Sequence, residues 1–126
     1  MLGRPKNLEI NILLKDAERC ARIKKRFGYA ASNYEVAAMH YKEILFHEKA
    51  ASCLTMAFFY YQVEKKNAKD SGRSDDAKFS DGRANEILDL LIGSRNYLRY
   101  VRESDISDEA KLVVMRAVSA IKSRRI

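Results

Sequence analysis

NYEVAAMHYKEILFHEKAASCLTMAFFYYQVEKKN, residues 33–67, contains neither glycine nor proline, and how it is read decides the fold. Ser32 stands just before it and Glu35 three residues later, the pairing of a capping box that starts a helix. Nothing before Ala68 tells the backbone to stop. Read as one helix, the stretch is about 52 Å long at 1.5 Å per residue. A compact chain of 126 residues has a radius of gyration of about 14 Å and a diameter of roughly 35–40 Å. The helix must therefore bend, around residues 50–55, or its protruding part must pack on another chain. Residues 53–63, CLTMAFFYYQV, place Leu54, Met56, Phe58, Phe59, Tyr60 and Tyr61 on nearly every side of the cylinder, and a helix apolar all round is enclosed by protein. Tyr34, Phe58, Phe59, Tyr60 and Tyr61 are accordingly expected in the core or in an interface formed by self-association.

Working outward, a first helix is expected over residues 6–27, after Pro5 and before Gly28, which suits a helix C-terminus. At 100° per residue, Ile10, Leu13, Leu14, Ala17, Cys20, Ala21 and Phe27 share one broad side. Residues 68–81, AKDSGRSDDAKFSD, switch to small, charged and turn-prone types and predict a flexible loop. A third helix follows over residues 82–102, with Ile87, Leu88, Leu91 and Val101 inward and a bend at Gly93 and Ser94. A fourth spans residues 107–124, opened by Asp105 or Ser107 as cap and by Asp108 and Glu109, whose charges complement the helix dipole. No run alternates with the period of a strand. The expectation is a single all-α domain, an antiparallel four-helix bundle with one overlong, mostly buried second helix.

Composition agrees with a folded, water-soluble chain: 47% hydrophobic and 33% charged residues supply enough apolar surface to offset the ordering entropy. No apolar stretch approaches the roughly 20 residues of a membrane span, and no cleavable leader is evident. A cytoplasmic location is expected, or a host-cell interior for a viral protein. Cys20 and Cys53 read as small core side chains rather than a disulfide framework. The net charge of +7 is unevenly spread. Residues 1–31 hold eight Lys or Arg against three acids and residues 83–126 hold nine against six, while the middle is balanced.

Motifs that carry chemistry are sparse. His40, Glu43 and His47 fall on one side of the long helix, but the order is His-x-x-Glu and no further histidine exists to complete a bundle metal site. A nucleophile elbow, a glycine-rich phosphate loop and a Cys-x-x-Cys pair are all missing. No catalytic, cofactor or metal site is assigned.

What remains is charge. Lys15, Arg19, Arg22 and Arg26, with Lys25, form a stripe opposite the apolar side of the first helix; Arg95, Arg99 and Arg102 repeat the spacing with Tyr97 and Tyr100 interleaved, and Arg124 and Arg125 close the chain. Such stripes suit phosphate or an acidic protein, although charged residues line any solvated helix. The sequence thus predicts a non-enzymatic interaction or assembly component, self-associating or binding another protein. Its alternative is a basic helical protein that binds the backbone of a nucleic acid without reading bases.

Overall fold

A computed structural model describes residues 6–124 and is all-α. Among the described residues there are six helices rather than four: α1 (Lys6–Arg22), α2 (Phe27–Glu43), α3 (His47–Asp70), α4 (Ser74–Gly93), α5 (Tyr97–Glu103) and α6 (Asp108–Arg124). α3 is the central element, packed against α2, α4, α5 and α6, while α1 lies on α2.

The overlong second helix does not form. It breaks at residues 44–46, ahead of the expected bend, because Leu45 adopts φ 64°. The N–H of Leu45 donates to the Lys42 carbonyl at 3.0 Å and that of Phe46 to the Tyr41 carbonyl at 2.9 Å. This is the double bond pattern of a Schellman ending, normally built on glycine. Its usual apolar clasp is present too, as the rings of Tyr41 and Phe46 stack at 6.4 Å. The α3–α4 turn repeats the pattern with glycine: Gly72 at φ 75° donates to Lys69 and Arg73 donates to Ala68.

The first helix ends at Arg22 rather than Phe27. Lys25 takes the left-handed conformation at φ 54°, and Gly28, expected as the terminator, lies inside α2. Ser32 likewise sits within α2 and caps nothing. The flexible loop over residues 68–81 is also corrected: α3 continues to Asp70 and α4 starts at Ser74, leaving a three-residue turn. Asp75 and Asp76 in the first turn of α4 complement its dipole. Buried Ala77, Ser80 and Ala84 give that turn-rich segment a core-facing side. The third predicted helix divides at Ser94–Asn96, next to the expected bend, with Asn96 at φ 69°. α6 matches its expected span, and the N–H of Ala110 donates to the Ser107 hydroxyl at 3.4 Å.

Small side chains set the core. Ala30, Ala31, Ala37 and Ala38 of α2 and Ala50, Ala51 and Ala57 of α3 are fully buried. Phe58, Ile87, Leu91, Val101, Val114 and Val118 fill the space around them. Thr55, also fully buried, satisfies its hydroxyl by donating to the Ala51 carbonyl at 2.8 Å.

Two substitutions test this architecture by thermal melting. Leu45, 74% exposed, sits where an L side chain costs about 1–2 kcal/mol. Leu45→Gly recovers part of that, so Tm should rise by roughly 2–5 °C. Ala57→Leu should instead lower stability by about 1–3 kcal/mol, because a larger side chain must enter a fully buried position.

Candidate interaction surface

α1 divides its circumference between core and solvent. Ile10, Ala17 and Ala21 are buried, and Leu8, Ile12, Lys15 and Arg19 occupy the opposite, exposed side. Ile23, 72% exposed, continues that side just past the helix end. Arg22 is held by Glu18 at 2.6 Å, one turn back. Among the described residues no carboxylate pairs with Lys15 or Arg19.

α2 turns Tyr29, Val36 and Met39 outward beside α1. His40 of α2 approaches Glu9 of α1 at 4.0 Å, which fixes the C-terminal half of α2 against the N-terminal half of α1. The outer face of the α1–α2 hairpin therefore combines exposed apolar side chains with uncompensated positive charge.

The two basic stripes expected from the sequence are not brought together. Lys25 and Arg26 lie in the α1–α2 turn, in a groove of about 590 Å³ shared with Tyr29, Arg73, Asp76 and Phe79. The Arg26 guanidinium stands 6.0 Å over the Tyr29 ring. Arg95 lies at the opposite end, in a groove with Lys42, His47, Tyr97 and Tyr100. The 17 residues of α2 hold these ends about 25 Å apart. Arg99 sits 5.2 Å over Tyr100 and 3.9 Å from Glu103. Arg102 is exposed and its carbonyl accepts a bond from the Lys111 ammonium at 3.4 Å. Arg124 is exposed at the end of α6, and Arg125 lies outside the described residues.

The aromatic cluster turns inward. Phe58 and Tyr61 are buried in the core, while Tyr34, Phe59 and Tyr60 are half-buried. Tyr60 of α3 stacks between Phe27 and Tyr34 of α2, with ring centres at 6.0 and 5.9 Å. The Tyr61 hydroxyl donates to Glu35 at 3.0 Å, and Glu35 also binds the Arg83 guanidinium, which reaches Glu86 at 2.5 Å. This polar network, tying α2 and α3 to α4, was not legible in the sequence because its members come from three helices.

The break at Leu45 also disperses the histidine cluster. His40 stays on α2, with Glu43 4.0 Å away, whereas His47 opens α3 and meets the Tyr97 hydroxyl at 2.6 Å. Among the described residues no group of three His, Cys, Asp or Glu side chains is placed to hold a metal ion. None of the described helices is long and apolar enough to cross a membrane.

A second concavity opens between α1, α2, α3 and the α5–α6 turn. It measures about 430 Å³ and is lined by Leu14, Tyr34, Tyr41, Cys53, Met56 and Ile106, with Lys15, Glu18 and Lys49 among its polar groups. Burial is the main reason that the Tyr34 hydroxyl is pushed up to about 12, with Tyr60 adding to it. Burial likewise raises the Cys53 thiol to about 12, against the opposing pull of Lys49. The cleft thus presents a protonated thiol and two phenols rather than a nucleophile. In comparisons with family models, curated proteins and solved structures, nothing matches this chain.

The buried thiol makes alkaline stability a readout of this packing. The folded state keeps the Cys53 proton that an unfolded chain releases near pH 9, so stability is full below that pH and declines as pH rises towards about 12. Tyr34 adds the same sign from about pH 10. Denaturant titrations at pH 8–11 should show the decline, and Cys53→Ala should flatten its first part. At pH 8 a thiol reagent should modify half-buried Cys20 and spare Cys53 in the native protein.

Proposed function

We propose that this chain is a non-enzymatic helical interaction module, in which the outer face of the α1–α2 hairpin docks an acidic helix of another protein through apolar anchors. In this reading α1–α4 serve as an antiparallel four-helix scaffold that presents the hairpin. The supporting observation is that exposed Leu8 and Ile12 share one side of α1 with Lys15 and Arg19, which no carboxylate of the described residues neutralises.

An acidic amphipathic helix suits both features. Its leucine-like side chains would cover Leu8, Ile12 and Met39, and its carboxylates would meet Lys15 and Arg19. Self-association through this face is less favourable, because two copies would set like charges against each other. Phosphate recognition is also less well served: the apolar residues interrupt the basic side, and the second stripe lies beyond the far end of α2.

The test uses a synthetic acidic amphipathic helix, with leucines at helical spacing and glutamates between them, against a basic version of the same pattern. Fluorescence anisotropy should detect saturable binding of the acidic peptide alone. Combined Lys15→Glu and Arg19→Glu should weaken it at least tenfold, about 1.4 kcal/mol, as should Ile12→Asp, with helicity unchanged by circular dichroism. Unchanged affinity in these variants sinks the proposal. Dimerisation measured by light scattering and abolished by Ile12→Asp would favour self-association instead. Binding of duplex RNA that falls linearly with salt on logarithmic axes would favour the nucleic-acid reading.

A further inference from the structure

We infer that the cleft between α1, α2, α3 and the α5–α6 turn is a binding site for a small amphipathic carboxylate, one acid group on an alkyl or aryl body. Its volume of about 430 Å³ falls in the range of small-molecule sites, and Leu14, Tyr34, Tyr41, Met56 and Ile106 offer an apolar body a surface to cover.

The polar groups favour an acid. Tyr41 is only 8% exposed, yet its hydroxyl makes no hydrogen bond within the described residues and is not sealed from solvent. Tyr41 lines the cleft, and its phenol interacts electrostatically with Cys53 of the same lining. Tyr34 is half-buried and lines the same wall, again with no hydrogen bond to its hydroxyl within the described residues. Two phenol donors thus await an acceptor.

The charges around them agree. Lys49 lies 5.8 Å over the Tyr41 ring and 6.0 Å over Phe46, held by ring faces with no carboxylate partner among the described residues. Lys15 is similarly unpaired, while Glu18, which shares the cleft and whose charge reaches the Tyr34 hydroxyl, is paired with Arg22 at 2.6 Å. Beside Asn11, the other polar groups of the lining are engaged or protonated: Ser52 donates to the Glu48 carbonyl at 3.2 Å, the Ser107 hydroxyl accepts from the Ala110 N–H at 3.4 Å, and Cys53 stays protonated. An incoming carboxylate would find two free ammonium groups and two phenol donors above an apolar floor, whereas a cation would meet repulsion and a neutral alcohol would leave the lysines unmatched.

This inference does not rest on the acidic-helix reading, and the two are separable. Ile12 and Arg19 lie outside the cleft, and Lys49 lies outside the outer face of α1. The probe is decanoate below its micellar concentration, compared with decanol and decyltrimethylammonium, by isothermal titration and amide chemical-shift mapping. Decanoate should bind at one site, at least tenfold more tightly than either comparator, shifting amides of Ser52, Cys53 and Met56. Lys49→Met should weaken it at least fivefold, and Tyr41→Phe, a smaller change that preserves the ring, about threefold; Arg19→Glu should leave it unaltered. Equal affinity for all three probes, shifts confined to other surfaces, or a Lys49→Met protein that binds decanoate as well as the parent would overturn the inference.

Discussion

The fully buried alanines of α2 and α3, the two helices that pack most extensively on each other, are the constraint on which the rest of this structure depends. A seam of methyl groups lets two helices approach closely but offers little volume with which to fill a core. The larger side chains must then come from beyond the seam. Tyr60 enters between Phe27 and Tyr34, Phe58 turns towards the centre, and α4, α5 and α6 supply Ile87, Leu91, Val101, Val114 and Val118. The Tyr61–Glu35–Arg83 network adds direction, because its charges and hydroxyl are satisfied only when α2, α3 and α4 hold one register.

α1 stands apart from this arrangement. It packs on α2 with a side of its own that is narrow and made largely of alanine, leaving half its surface to solvent. The same edge position creates the cleft, since α1 reaches across α2 towards the α5–α6 turn without closing the gap above Tyr34 and Tyr41. The two candidate surfaces are consequences of one packing choice and adjoin along α1, where Lys15 belongs to both.

The all-helical class, the span of α6 and the division of α1 into apolar and basic sides were legible in the sequence because periodicity alone determines them. The breaks were not. Glycine and proline announce turns, but Lys25 and Leu45 enter the left-handed region with neither, and the bonds that close these turns, from the Arg26 N–H to the Cys20 carbonyl and from the Leu45 N–H to the Lys42 carbonyl, appear only once the chain has folded. Conversely, residues 68–81 looked loop-like from their small and charged composition, although Ala68, Ala77 and Ser80 bury a face against the core. The basic stripe on α1 could be read in advance for the same reason as its apolar side. The cleft could not, since Lys15, Tyr41, Lys49 and Ile106 come from three helices and a turn whose order along the chain implies nothing about their proximity.

The turn that carries Lys25 and Arg26 shows why a high density of positive charge need not make an anion site. These cations immediately precede the first residue of α2, where the free N–H groups and the helix dipole already favour a negative charge. The protein supplies one itself. Glu64 of α3 lies against Gly28, its carboxylate oxygen 3.4 Å from where a side-chain carbon would begin, and it pairs with Arg73 at 3.5 Å. Asp76 adds a second acid, 3.0 Å from the same arginine. Both acids line the groove that holds Lys25 and Arg26, although the ion pairs they form are with Arg73. Acids carried by other helices, together with the local count of basic residues, set the charge that each groove offers a partner.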